Sequence, residues 1–217
     1  MKFGLAMGGM ERRLTEITKS VAAQFDKITY VEIGVAEGGT LTAIASILHE
    51  VGKPWRAVGI ELPNGYSFNR DKVEELSVLR GLTLNFVVPN SNTQRPPWFA
   101  VTVYLKDSQS FLTELWQEPI HLALIDGCHG QPCVTLDFVA LEAWMEPGGC
   151  VLFHDVSPEQ QGIFQPHCSQ GIHVRNAINQ LGLFSNRRKG WKFTEQITAD
   201  RTEDGWDMAV FHKETVL

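Results

Sequence analysis

Between residues 28 and 48 a run of β-branched and aromatic residues, Ile28-Thr-Tyr-Val-Glu-Ile33, ends on Gly34. Gly38-Gly39 follows, and then Leu41, Ile44, Ala45 and Leu48 at helical spacing. A short buried strand, a glycine turn and an amphipathic helix in that order form one βα unit. The pattern recurs. Residues 55–60 read as a second strand closing on Glu61, and residues 69–80 as a helix with Val73, Leu76 and Leu79 on one face and Gly81 as its stop. Ile120–Ile125 is a strand ending at Asp126, and Val134, Phe138, Leu141 and Met145 mark the next helix face. Pro147-Gly148-Gly149 is expected to turn the chain into the strand 150–153, which runs into His154-Asp155. Val174, Ile178 and Leu181 mark a last helix, with Gly182 as its cap.

Strands alternating with helices require parallel pairing and right-handed crossovers. Residues 191–197 and 208–211 follow without a helix between them and predict a closing antiparallel hairpin. The expected fold is therefore α/β: a doubly wound, mostly parallel seven-stranded sheet with a C-terminal antiparallel hairpin. The 217 residues suit one domain. Residues 1–27 are expected as an N-terminal helical segment, with Leu14, Ile17, Val21 and Phe25 as an apolar stripe that could serve a dimer. Residues 82–100 fit the alternation poorly and read as an insertion or flap, of which an extra edge strand with a loop is the plainer form.

Charge narrows the partners. Nineteen basic against 25 acidic residues leave a net charge of −6, which argues against a broad nucleic-acid footprint. No apolar run approaches the roughly 20 residues that span a bilayer, and the basic pair Arg12-Arg13 follows the mildly apolar start instead of preceding it. The expectation is a cytoplasmic or otherwise intracellular protein with no membrane partner. Of the four cysteines, Cys150 sits in an apolar strand, while Cys128 and Cys133 have a Cys-x4-Cys spacing at the edge of what zinc sites use.

Ligands of such sheets lie at the carboxyl ends of the strands. With Phe99–Leu105 read as a further strand that ends at Lys106-Asp107-Ser108, those ends are Gly34, Glu61, Asp107, Asp126 and His154-Asp155. A dinucleotide fingerprint would need G-x-G-x-x-G, but the chain has Gly34-x-Ala36-x-x-Gly39, which counts against a nicotinamide cofactor. A carboxylate such as Glu61 can accept both hydroxyls of a ribose, whether that of a dinucleotide or of an adenosine-bearing sulfonium.

Glu32-x-Gly34-x-Ala36-x-Gly38 resembles the first motif, E/D-x-G-x-G-x-G, of the class I S-adenosylmethionine-dependent methyltransferases, with alanine for the middle glycine. The resemblance covers about residues 28–213. It implies S-adenosylmethionine across Glu32, Gly34, Ala36 and Gly38, its ribose on Glu61, its adenine against Asp107 or Ser108 of Lys106-Asp107-Ser108, and its reactive methyl facing Asp126 and Asp155. Asp126 is thereby implied in cofactor binding as well.

A second resemblance is narrower. Leu124-Ile-Asp126-Gly-Cys-His129, then Glu146-Pro-Gly-Gly149, then Val151-Leu-Phe-His154-Asp155-Val156 resembles the subgroup with I-D-G-x-H, P-G-G and a strand ending in H-D or E-D. That subgroup includes small-molecule O-methyltransferases of antibiotic-sugar type and proteins labelled cephalosporin hydroxylase. It implies a divalent cation, usually magnesium, on Asp126 and Asp155. His154 stands where many relatives have an acid, and magnesium prefers oxygen, so a softer ion such as manganese or zinc could accept the imidazole.

His129, together with Asp126, is the catalytic candidate. An imidazole has an ordinary pKa near 6.5, suited to taking a hydroxyl proton. The alternative is a histidine that only orders the loop through Asp126 or Asp155. Four functions stand side by side: metal-assisted O-methylation of a small hydroxylated molecule, a metal-independent methyltransferase on another acceptor, a non-catalytic nucleoside-binding or scaffold domain, and an NAD-dependent oxidoreductase. Residues 82–100 and 156–170 are the segments expected to shape an acceptor pocket.

Overall fold

The computed structural model describes residues 8–63, 65, 67–90, 95–156, 170–198 and 207–215. Eight strands make one sheet: β1 (Ile28–Ile33), β2 (Trp55–Glu61), β3 (Thr83–Val87), β4 (Ala100–Leu105), β5 (Ile120–Ile125), β6 (Met145–His154), β7 (Trp191–Thr198) and β8 (Asp207–Lys213), in the order β3-β4-β2-β1-β5-β6-β8-β7. The first six pair in parallel, and β8 runs antiparallel to both β6 and β7. The expected parallel sheet with its closing hairpin is present, but with eight strands in place of seven. The additional one is β3, from the awkward stretch 82–100. It lies parallel to β4 on the sheet's outer edge, with Thr83 opposite Ala100 and Val87 opposite Tyr104.

Helices cover both faces. On one lie α1 (Gly8–Gln24), α2 (Gly39–Val51) and α3 (Arg70–Leu79); on the other lie α5 (Gln131–Glu142) and α6 (Gln170–Gln180). A three-residue turn α4 (Ser108–Ser110) and a wider π-turn, Phe111–Leu115, lead from β4 to β5. The apolar stripe of α1 is used inside the chain: Met10, Leu14, Ile17 and Val21 are buried in one core with Leu41, Ile44 and Leu48 of α2. Each such residue contributes roughly 1.5–3 kcal/mol on leaving water. Among the described residues no helix is long and apolar enough to cross a membrane.

Two local expectations differ. Leu79 is 72% exposed, and the inner face of α3 runs from Val73 to Ser77 instead. Those two are four residues apart, and a short helix on a sheet edge buries only that narrow line. Met145 and the Pro147-Gly148-Gly149 turn fall within β6, where the pairing with β5 shifts register between Ile120 and Leu122. Gly148, at φ +87°, lets the strand bend there instead of ending.

Candidate active site

The parallel strands β1, β2, β5 and β6 all end on one edge of the sheet, and their last residues converge. From β1 the chain enters the turn 34–38, in which Gly34 (φ +87°), Ala36 (φ +47°) and Gly38 (φ +73°) have left-handed backbones. Gly34 N–H bonds the Ile60 carbonyl (3.0 Å), and Asn69 N–H bonds the Ala36 carbonyl (3.0 Å), so β2 and α3 hold the turn from either side. Glu61, at the end of β2, accepts from the amides of Val35 (2.9 Å), Ala36 (3.2 Å) and Leu62 (2.9 Å). Its carboxylate therefore faces the turn and stays in place there.

Below the turn, Glu32 is 2% exposed and accepts a hydrogen bond from the Tyr30 hydroxyl. Burial pushes the Glu32 carboxyl well above its usual range. The Tyr30 bond works against this, and the nearby charges of Asp126 and Glu61 add to it. Burial of this carboxyl beneath the turn thus disfavours its charged form.

The densest group lies one strand further on. Asp126 follows β5, and its N–H bonds the Ile33 carbonyl (2.9 Å). His154 ends β6, and Asp155 follows it at φ +56°. His154 Nδ1 lies 2.9 Å from Asp126 Oδ1 and 3.2 Å from Asp155 Oδ1. His129 Nε2 lies 3.4 Å from Asp126 Oδ1 and 3.3 Å from Asp155 Oδ2. Two imidazoles thus face the same pair of carboxylates. A left-handed aspartate costs about 1 kcal/mol, and such outliers gather at sites where the surroundings over-determine them. That backbone turns Asp155 back toward Asp126.

The electrostatics agree with the distances. Burial opposes the ionisation of Asp126, but the charge of His154 and the hydrogen bonds from His129 and His154 overcome it and hold the carboxyl down at about 2. Burial likewise opposes a charged His154, and the Asp126 charge and the bonds to both aspartates raise it well above 6.5. His129 is raised as well, by its bond to Asp126 and the charges of Asp126 and Asp155, against its own burial. Donor atoms of Asp126, His154 and Asp155 all lie within 4.8 Å of one another. The set offers two carboxylates and an imidazole, which suits a transition ion better than magnesium. A cation there would compete with protonation of the His154 imidazole, so its binding would depend on pH.

The sequence profile of a methyltransferase domain matches residues 31–156, which is more than half of the chain and includes every residue of the site described above except Tyr30. The chain belongs to that methyltransferase family. No curated protein matches the sequence. Among solved structures, the O-methyltransferase TomG of Streptomyces achromogenes, involved in tomaymycin synthesis and bound to SAM, is 15% identical with a TM-score of 0.63; the alignment covers 95% of this chain and 80% of TomG. An O-methyltransferase of Bacillus cereus in complex with SAH is 16% identical at a TM-score of 0.58, over 92% and 80% of the two chains. The O-methyltransferase NovP is 11% identical at 0.61, over 95% and 80%. At these identities the likeness establishes the class I methyltransferase fold.

Within the methyltransferase, the sequence candidates fall into three groups. Asp126, His129, His154 and Asp155 meet in one cluster. Gly34, Ala36 and Gly38 make one turn beside it, with Glu32 beneath and Glu61 against that turn. Asp107 and Ser108 stand at the end of β4 and are engaged elsewhere. Asp107 caps α4 by accepting from Ser110 N–H (2.9 Å), and Ser108 Oγ donates to Asp137 Oδ1 (2.6 Å). Residues 157–169, which include most of the loop expected near an acceptor, lie outside the described residues, as do 199–206 of the closing hairpin.

Sequence reading missed Tyr30 and Asp137. Tyr30 looks like an ordinary strand aromatic. Asp137 is a lone acid in the otherwise apolar face Val134–Leu141 and is 2% exposed. A charge on the inner side of a helix was the signal available. Burial raises its carboxyl to about 6, against the hydrogen bonds from Ser108 and Gln109.

Proposed function

We propose that the protein transfers the methyl group of S-adenosylmethionine to a hydroxyl oxygen of a small molecule, with a divalent cation at Asp126, His154 and Asp155. One observation carries this reading: His129 and His154 face the same two aspartates, directly beside the turn that begins at Gly34. The two SAM- and SAH-bound O-methyltransferases of the same fold support the cofactor, and TomG supports a small-molecule acceptor. The turn 34–38 is the place for the methionine end of the cofactor. Glu61, already held by two amides of that turn, retains lone pairs for ribose hydroxyls.

A cation bound by the cluster would lower the acceptor hydroxyl's pKa and hold it in place. The chain's own residues do the rest. His129 takes the hydroxyl proton, and Asp126 and Asp155, both within 3.4 Å, stabilise the imidazolium that results. Glu32, buried beneath the turn, accepts from the Tyr30 hydroxyl and holds the floor of the site. As oxygen attacks the methyl carbon in line with sulfur, negative oxygen and positive sulfur neutralise each other, so a dry site favours the step. Alignment of the two atoms is the other large contribution.

A second reading has its own support. Each imidazole is already paired with both carboxylates, and an arrangement so satisfied could serve a metal-independent transfer. Incubating the protein with S-adenosylmethionine and panels of catechols, sugars and amines, with and without EDTA, separates the two. The expected result is methylation of a hydroxylated acceptor, abolished by EDTA and restored by manganese more fully than by magnesium. Transfer that survives EDTA refutes the cation and leaves the second reading.

A further inference from the structure

The loop that carries His129 is bracketed by two thiols. Cys128 precedes His129 and is exposed; Cys133 lies in the first turn of α5 and is half-buried; both are free. Folding brings the sulfurs to one place. A β-carbon built on Gly130 would lie 3.4 Å from Cys128 Sγ and 3.7 Å from Cys133 Sγ, so both sulfurs flank the same glycine at van der Waals distance. Burial and a hydrogen bond to the Cys128 sulfur keep Cys133 protonated, with its pKa up at about 11. The Cys133 thiol is therefore directed at Cys128. No other pair among the described residues has this placement, since Cys150 is buried in β6.

We infer that Cys128 and Cys133 form a reversible dithiol–disulfide pair whose closure ties down the loop carrying His129. The oxidant is a small disulfide such as glutathione disulfide. The Cys128 thiolate attacks one of its sulfurs and releases a first glutathione thiolate. Cys133 then loses its proton and attacks the Cys128 sulfur, releasing a second glutathione. The protein gives up two electrons and two protons, and one disulfide becomes two thiols. In a reducing compartment such a pair stays open and closes only when the thiol pool is oxidised. Because His129 is the base under the function proposed above, closure would act on that reaction; the pairing itself does not depend on that reading.

The test treats reduced full-length protein with glutathione disulfide, then counts alkylatable thiols and records intact mass. The wild type is expected to lose two of its four thiols, to become lighter by two hydrogens and to retain no glutathione, all reversed by dithiothreitol. Cys133→Ser is expected to stop at a glutathione adduct on Cys128, Cys128→Ser to form no pair, and Cys168→Ser to behave as wild type. A wild type that keeps all its thiols, ends as a stable adduct, or pairs equally well after either loop substitution overturns the proposal. Amide hydrogen exchange over residues 127–133 is expected to slow in the oxidised form, and unchanged exchange refutes the clamp. Neither readout needs cofactor or acceptor, so failure of the pairing and failure of the methyl-transfer reading remain distinguishable.

Discussion

Gly34 and Asp126 meet backbone to backbone. A β-carbon on Gly34 would overlap the Asp126 carbonyl and lie 2.6 Å from the Gly127 Cα. The first glycine of the turn is thus the reason that the Asp126 loop can sit against it. The two halves of the site, Glu61 with the turn and the histidine–aspartate cluster, share this contact.

Two substitutions in the same turn should have opposite effects. Gly34→Ala combines a forbidden φ with a backbone overlap, and we expect it to cost about 3 kcal/mol or more. Ala36 already has φ +47°, so Ala36→Gly relieves left-handed strain and is expected to raise stability by about 0.5 kcal/mol after the entropy of glycine is deducted. Urea unfolding of both variants checks the signs. A stable Gly34→Ala protein would mean that the Asp126 loop can move away.

His129→Asn is expected to leave the fold and the turn 34–38 in place while removing the proposed proton acceptor. The expected loss in kcat is about 10²–10⁴-fold, the usual contribution of a general base. Affinity for S-adenosylhomocysteine, measured by calorimetry, should stay near that of wild type. A variant with undiminished turnover would assign His129 to loop ordering alone.

Glu61→Gln keeps one oxygen for the amides of Val35 and Ala36 while removing the charge that a ribose would meet. Hydrogen bonds to charged groups are worth about 1.5–3 kcal/mol, so affinity for S-adenosylhomocysteine should fall roughly 10- to 100-fold. Unchanged affinity would place the ribose elsewhere.

Asp137 sets a pH dependence with a definite sign. Its folded pKa of about 6 lies above the unfolded value near 3.9, so the folded state binds the proton more tightly. Stability from this group rises as pH falls from about 7 toward 4 and is lost as pH climbs back through 6. Asp137→Asn carries no proton to bind. The stability of wild type relative to this variant should therefore increase by about 1 kcal/mol between pH 8 and pH 5. A constant difference across that range would show that Asp137 titrates normally.

The strand ends were legible because they follow from period and punctuation. Residues 28–33, 55–60 and 120–125 are apolar runs closed by a glycine or an acid, and parallel strands joined by right-handed crossovers must all finish on one edge. That logic alone brings Gly34, Glu61, Asp126 and His154-Asp155 together. It says less about edges and inner faces. Leu82–Val88 alternates like a strand, and an extra edge strand is the plainer reading of 82–100, but only the structure shows its partner, the parallel β4. Leu79 satisfies the helical spacing and still points to solvent, since α3 touches the sheet along one line only.

What the sequence by itself determined is the alternation of strands and helices and the residue that closes each strand, since both depend on interactions local to the chain. The tertiary structure alone decided which side chains share a proton or a contact. His154 bonding Asp126 from 28 positions away, Ser108 bonding Asp137 from 29, and the two thiols meeting over Gly130 depend on side-chain direction after packing. No local propensity encodes that direction, because it is set by how neighbouring strands and helices exclude one another in the core.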